Sequence, residues 1–341
     1  MKKNIVFIDT WTVGANFVFN VATKFKNENL IYIHFNSEYN NRGQKENVDL
    51  NIFDKVIDIS SYNNSIYETL LDVKPDVVIF ISIHGHFHRW ANIISTSMGY
   101  KNVFFMHGIR SNQPKKKFKM PFTAKLKKIN RIIFYVKQYY LFLLDLKKSN
   151  KVINSKILLL DFLEMLFKNK CYTNTPKYNI GFNYDLAFVN TESDINYFKK
   201  NYFLNEEEIR FLISGNVVSR QNAIKSQTIL NLSDTIVFFS QPLISAGYMS
   251  REEYLKILFN INKIMIENNY NFVVRLHPRD DISTNELIQN NIKISDKEFY
   301  EDAARTSVAI SFNSASLLTF NDLKKPIITL LDDRLVTING L

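Results

Sequence analysis

A single cysteine, Cys171, among 341 residues excludes an internal disulfide framework and any cysteine-rich zinc site. Stability must therefore come from burial, and a reducing compartment is the expectation. Glycine and proline are scarce as well, at 9 and 7 residues, which excludes collagen-like repeats and low-complexity disorder. No run approaches the roughly 18 consecutive apolar residues of a spanning helix. The nearest, Ile132–Leu144 and Ile157–Phe167, carry Lys137, or Asp161 and Glu164. Met1-Lys2-Lys3-Asn4 runs straight into Ile5-Val6-Phe7-Ile8 and Asp9, too short for the apolar core of a signal peptide, so a cytoplasmic location is expected. Only Gly14 follows the first apolar run, so a Gly-rich dinucleotide fingerprint is missing. An Asp-x-Asp triplet occurs nowhere, which argues against a metal-chelated nucleotide-sugar site.

Acidic residues are missing from one region in particular. Lys115–Lys156 holds thirteen Lys or Arg against one acid, Asp145. Of the net charge of +10, this segment carries +12, leaving about −2 for the rest of the chain. Its cations alternate with Phe118, Phe122, Ile133, Tyr140 and other bulky apolar groups. That mixture suits an interfacial helix on an anionic membrane surface, with apolar groups in the headgroup boundary and Lys or Arg on anionic lipid. A solvated helical hairpin whose stripe is core and a channel for a polyanionic glycan also fit. Nucleic acid fits least, because the remainder is slightly acidic and no nucleic-acid motif occurs.

What is present is an alternation of short Val/Ile/Phe-rich runs with helical stretches, the pattern of parallel strands buried on both faces. Strands are expected at Asn4–Ile8, Leu30–Phe35, Lys55–Ile59, Val77–Ile83, Val103–Met106, Asp185–Val189 and Arg210–Ser214. After a polar stretch, Arg220–Asp234, that reads as a linker, further strands are expected at Thr235–Phe239, Asn271–Leu276, Ile292–Ile294, Val308–Ser311 and Pro326–Leu330. The fold class is α/β: two doubly wound, Rossmann-type domains facing across a cleft. Residues 1–220 form the N-terminal, acceptor-side domain, with a basic helical insertion at about 111–180. Residues 221–341 form the C-terminal, donor-binding domain, and Asp332–Leu341 are too few for a returning helix.

Ligands of open α/β sheets bind beyond the carboxyl ends of the strands, so the polar residues there are the candidates. Asp9 closes the first strand and suits a general base. His84, His86 and His88 follow the fourth strand on what reads as a loop, and His107 follows the fifth. Alternating histidines have no settled metal spacing, and His107, beside Gly108, is the favoured proton-handling group. Ser214-Gly215-Asn216 and Ser240-Gln241-Pro242 bring small polar groups to two further ends. Arg275-Leu276-His277-Pro278-Arg279 and Phe312-Asn313-Ser314-Ala315-Ser316 make a phosphate pocket: an imidazole as general acid, Arg275 or Arg279 to offset charge, and hydroxyls at a helix start.

These residues, in this order, resemble bacterial GT-B glycosyltransferases that use CMP-activated nonulosonic acids, the sialyltransferase and capsular polysialyltransferase group. The match covers roughly residues 185–330. It lies in the His277-Pro278 pair, in Ser314 with Ser316, and in Val237–Leu243 followed by Ser250-Arg251-Glu252-Glu253-Tyr254. The resemblance implies a GT-B fold and an inverting, metal-independent transferase without a cofactor. It also implies that His277 assists departure of the CMP phosphate and that Ser314 and Ser316 hold it. The donor-binding set becomes Gly215, Asn216, Ser240, Gln241, Pro242, Arg275, Pro278, Arg279, Asn313, Ser314 and Ser316. Partners implied are a CMP-sugar, a glycan or glycolipid acceptor of capsule, lipooligosaccharide or O-antigen type, and the inner face of the cytoplasmic membrane, reached through Lys115–Lys156. The Asp/Glu-Asp/Glu-Gly motif that supplies the base in that group has no counterpart before the linker, which leaves Asp9 and His107 as candidates. Similar layouts occur in teichoic-acid-type CDP-glycerol phosphotransferases and in non-hydrolysing UDP-N-acetylglucosamine 2-epimerases, and a non-catalytic glycan-assembly protein is a further alternative.

Overall fold

A computed structural model describes residues 2–9, 15–35, 50–82, 86–106, 122–151, 153–167, 183–202, 209–229, 235–244, 248–277, 280, 282–312, 314 and 316–330. The chain forms two compact units, one of residues 1–107 and 121–214, the other built on residues 215–341. Each contains one parallel sheet.

In the first unit the strands are β1 (Asn4–Asp9), β2 (Asn29–His34), β3 (Lys55–Asp58), β4 (Val77–Phe80), β5 (Lys101–Phe105), β6 (Leu186–Val189) and β7 (Arg210–Ile213). Their order is β3-β2-β1-β4-β5-β6-β7, so the winding reverses between β1 and β4. Helices α1 (Ala15–Ala22), α2 (Ile66–Val73), α3 (His86–Ser97), α4 (Phe122–Lys148), α5 (Ser155–Phe167) and α6 (Glu192–Tyr202) connect them. Ser65 caps α2 by accepting from the Glu68 N–H. Within the basic insertion expected at about 111–180, α4 runs for 27 residues and α5 follows it, while residues 111–121 and 168–180 lie outside the described residues. It docks through Tyr135, Tyr139, Phe142 and Leu146, spaced for one helical face. Phe142 stacks on the buried Trp90 of α3 at 5.2 Å between ring centres, a contact contributing about 0.5–1.5 kcal/mol beyond burial.

The second unit has β8 (Thr235–Phe239), β9 (Asn271–Arg275), β10 (Lys293–Ile294), β11 (Thr306–Ser311) and β12 (Ile327–Thr329) in the order β10-β9-β8-β11-β12. Its helices are α7 (Val217–Gln227), α8 (Arg251–Glu267), α9 (Thr284–Gln289), α10 (Phe299–Arg305) and α11 (Leu317–Asp322). Alternation divides the sheet cleanly. Ile236, Phe238, Phe272, Val274 and Ile310 build one core with Tyr254 and Leu258 of α8. Val237, Phe239, Val273 and Ala309 build the other with Ala303, Leu317 and Phe320. A capping box between Ser250 and Glu253 starts α8.

Of the stretch Arg220–Asp234 read as a linker, residues 230–234 lie outside the described residues, and the part up to Gln227 belongs to helix α7, which is capped by Asn216, whose Oδ1 accepts from the Ser219 N–H at 3.0 Å. The sequence hides it because its buried contacts are small: Ser219, Ala223 and Ser226, the last donating to the Tyr300 carbonyl at 2.9 Å. The tail Asp332–Leu341 lies outside the described residues.

Candidate functional site

In the second unit β8 lies between β9 and β11, so the residues after these three strands share one edge of the sheet. The Ser240 N–H donates to the Arg275 carbonyl at 2.9 Å, and the His277 N–H donates to Ser240 Oγ at 2.6 Å. Ser240 is buried and its hydroxyl also reaches the Tyr254 phenol. It therefore acts as a clamp that fixes the backbone from which His277 projects. Burial pushes the Tyr254 phenol above its ordinary range, and the Asp280 carboxylate adds to that, so the phenol stays neutral while it accepts from the Gln241 N–H at 3.2 Å. Asp280 is tied back through its N–H to the His277 carbonyl at 2.8 Å.

On the β11 side, Ser311 Oγ donates to the Phe239 carbonyl at 2.7 Å and joins the two strands. Beyond it the Ser314 and Ser316 hydroxyls share a hydrogen bond of 2.6 Å, and the Ser316 N–H donates to Ser314 Oγ at 3.2 Å. The serine pair expected from the sequence is thus a single hydroxyl cluster. Chemically this edge offers an imidazole and neutral hydroxyls, the groups that take up an anionic ester by hydrogen bonding.

Several expected residues have other duties. Arg275 points at α10: its Nη1 lies 2.7 Å from Asp302 and 2.5 Å from the Lys297 carbonyl, and its guanidinium covers the Phe299 ring at 5.7 Å. Asp302 is fully buried and takes Arg305 and Ser295 as well, so Arg275 compensates a core carboxylate rather than standing free at the strand end. Asn216 spends its side chain on the α7 cap. Gly215 has a φ of +66°, and a Cβ there would meet the Arg220 guanidinium at 3.2 Å. Gln241 and Pro242 follow Ser240 on the same strand exit, half-buried. Pro278, Arg279, Asn313 and His107 lie outside the described residues.

In the first unit Asp9 closes β1 at the reversal point beside β4 and is buried. His88 Nε2 lies 3.5 Å from Asp9 Oδ1, and the Tyr32 hydroxyl donates to Asp9 Oδ2 at 3.3 Å. His88 is equally buried. From sequence, His88 is expected on a loop and His107 is the favoured proton-handling group. Helix α3 already includes His86, so residues 86–88 are its first turn rather than a loop, and this turn brings His88 to the β1 end. Nothing local in the sequence pairs residues 9 and 88; the only signal is that both follow neighbouring strands. At the next strand ends His34 Nδ1 lies 3.6 Å from Asp58 Oδ2. A buried carboxylate beside an imidazole is an arrangement that can accept a proton.

No protein-family model matches the chain, and no curated protein matches it in sequence. Among solved structures it is similar to the wall teichoic acid polymerase TagF, at 12% identity and a TM-score of 0.46 over 96% of this chain and 70% of that one. It is also similar to a UDP-GlcNAc 2-epimerase from Methanocaldococcus jannaschii in complex with UDP-GlcNAc and UDP, at 17% identity and a TM-score of 0.47 over 97% and 84% of the two chains. A third is Anabaena Alr3699/HepE in complex with UDP, at 8% identity and a TM-score of 0.46 over 96% and 80%. The likeness is one of general chain layout, and no residue role follows from it.

Proposed function

We propose that the chain is an inverting glycosyltransferase that moves a sugar, a sialic or other nonulosonic acid, from a CMP-activated donor to a cell-surface glycan at the inner face of the cytoplasmic membrane. The observation that carries this reading is the single edge of the second sheet on which the Ser240-clamped His277 follows β9 and the Ser314–Ser316 hydroxyl pair follows β11, the two strands that flank β8. It suits a departing phosphate monoester. In the displacement an acceptor hydroxyl oxygen bonds to the anomeric carbon while the bond from that carbon to the CMP phosphate oxygen breaks. Protonated His277 donates to the phosphate oxygens, and the serine hydroxyls offset the charge that develops there. Asp9, which lies beside His88 and Tyr32 at the end of β1, is one candidate base for the acceptor proton. His107 is the other candidate base. Metal is not needed for this charge balance, so a chelator is expected to leave turnover unchanged.

The direct test is CMP release from CMP-sialic acid in the presence of capsule or lipooligosaccharide acceptors, with the acceptor product analysed for sugar and for phosphorus. A phosphorus-free sialylated product supports the reading. A phosphoryl-alcohol product would assign the chain to phosphotransfer instead, and conversion of UDP-N-acetylglucosamine without any acceptor would assign it to epimerisation.

A further inference from the structure

Helix α4 carries two apolar rows, and its packing uses one. Tyr135, Tyr139, Phe142 and Leu146 are buried. A second row, Ile133, Val136, Tyr140, Leu143 and Leu144, lies about 120° further round the axis at 100° per residue. It is exposed, Ile133 to 64% and Tyr140 to 60%. A surface helix ordinarily has one apolar stripe, facing the core. Helix α5 repeats the pattern. Its Leu158 is buried and its Phe162 stacks on Tyr139 at 4.1 Å, while Leu159, Leu160 and Leu163 are exposed. Eight of the seventeen large exposed apolar side chains described in the molecule sit on these two helices, which is a concentration rather than single scattered residues.

Charge selects the occupant. The only acid between Lys115 and Lys156 is Asp145, and the fold removes it from the surface. Its carboxylate accepts from Ser65 Oγ at 2.6 Å and from the Ile66 and Tyr67 N–H groups at 2.7 and 3.2 Å, at the start of α2. Lys137, Lys147 and Lys156 are exposed, and Lys148 pairs with Glu68 at 2.6 Å. Two acids, Asp161 and Glu164, follow in α5, so the cationic bias belongs to α4 and its approach. A two-fold dimer through this face would set the patch against itself and bring like charges together. An anionic bilayer meets both features: lysines lie against headgroups while Ile, Leu and Tyr side chains enter the boundary, the phenol staying wet. Among the described residues no helix is long and apolar enough to cross a membrane.

We propose that the outer face of α4 and α5 docks the chain onto anionic lipid, with Ile133, Val136, Tyr140, Leu143 and Leu144 as the inserting row. The proposal sharpens the membrane setting of the transferase reading and rests on that reading for its purpose, but its test requires no turnover.

The test is co-sedimentation of the full chain with vesicles of phosphatidylcholine alone and of phosphatidylcholine mixed with phosphatidylglycerol. Binding is expected on the mixed vesicles, weakening as salt rises. The Tyr140→Ser/Leu144→Ser variant should lose it about tenfold or more, because the apolar area it would insert is gone. Its melting temperature should not change, since both side chains are exposed. Wild-type binding by the variant, or equal binding to neutral vesicles, overturns the proposal. So does a wild-type dimer in sedimentation velocity that the same variant dissociates while vesicle binding is absent, because the face then belongs to a second copy. Stabilisation by CMP, measured on the same preparations, separates the two readings. Docking without a CMP response removes the transferase reading alone, and a CMP response without docking removes this proposal alone.

Discussion

The strand ends of the two units carry opposite chemistry on the same kind of parallel sheet. The first unit places a buried carboxylate, Asp9, against an imidazole, His88, and a phenol, Tyr32. The second places an imidazole residue, His277, on the Ser240 hydroxyl and the Ser314–Ser316 hydroxyl pair further along the same edge, and Arg275, two residues before His277, is held by Asp302. A carboxylate–imidazole pair can take a proton but would repel an anion. A hydroxyl cluster with an imidazole can hold an anion without trapping it in a tight ion pair. The first edge therefore suits taking up a proton and the second suits holding a phosphate, a difference that follows from side-chain chemistry rather than from the fold.

This contrast can be broken from either side. The largest effect is expected from His277→Ala, which should lower kcat by about 10²–10⁴-fold with the melting curve preserved, as measured by CMP release and calorimetry. Near-native turnover by that variant would remove His277 from the leaving-group side. Asp9→Asn should cost about 10²-fold in kcat and spare CMP binding. If it weakens CMP binding instead, the first unit is not the proton-accepting half.

Two smaller effects test the scaffold. Asp145→Ala leaves the Ser65 hydroxyl and the Ile66 and Tyr67 N–H groups without their acceptor, and urea unfolding should show a loss of about 1–3 kcal/mol. Burial pushes the Asp145 carboxyl above its ordinary 3.8, with the three hydrogen bonds and Lys148 pulling the other way. The folded state therefore holds that proton to higher pH than the unfolded chain does. Its contribution to stability falls as pH rises from about 4 through the raised value, and Asp145→Asn should abolish that slope. A pH dependence identical to wild type in the asparagine variant would show that Asp145 is not the group responsible. The smallest effect is expected from Gly215→Ala, about 1 kcal/mol, from a left-handed backbone and the close Arg220 guanidinium.

The parallel strands were legible because strands covered on both faces are continuous apolar runs: Thr235–Phe239 reads as a strand and is β8, and Asn4–Ile8 is β1 less its terminal Asp9. Helix α7 was not legible, since Ser219, Ala223 and Ser226 pack closely without making an apolar stripe, although Gly215-Asn216 ahead of it is a capping signal. On the second unit's edge, Ser240, His277, Ser314 and Ser316 were all visible as polar residues following apolar runs. The inward commitment of Arg275 was not, because Asp302 sits 27 residues away on a helix whose packing the sequence does not state. His88 was missed for the same reason: its partner is 79 positions distant, and the short run of alternating histidines looks like a loop until the helix start is known.

The central claim is that the second unit's edge binds the nucleotide of a CMP-linked donor, and nucleotide-induced thermal stabilisation tests it most directly. With CMP, CDP, UMP, UDP and GDP each offered to the wild-type chain and to Ser314→Ala, the cytidine nucleotides should raise the melting temperature of the wild type selectively and by less in the variant. Stabilisation by UDP alone, or a CMP response untouched by the serine substitution, would contradict it.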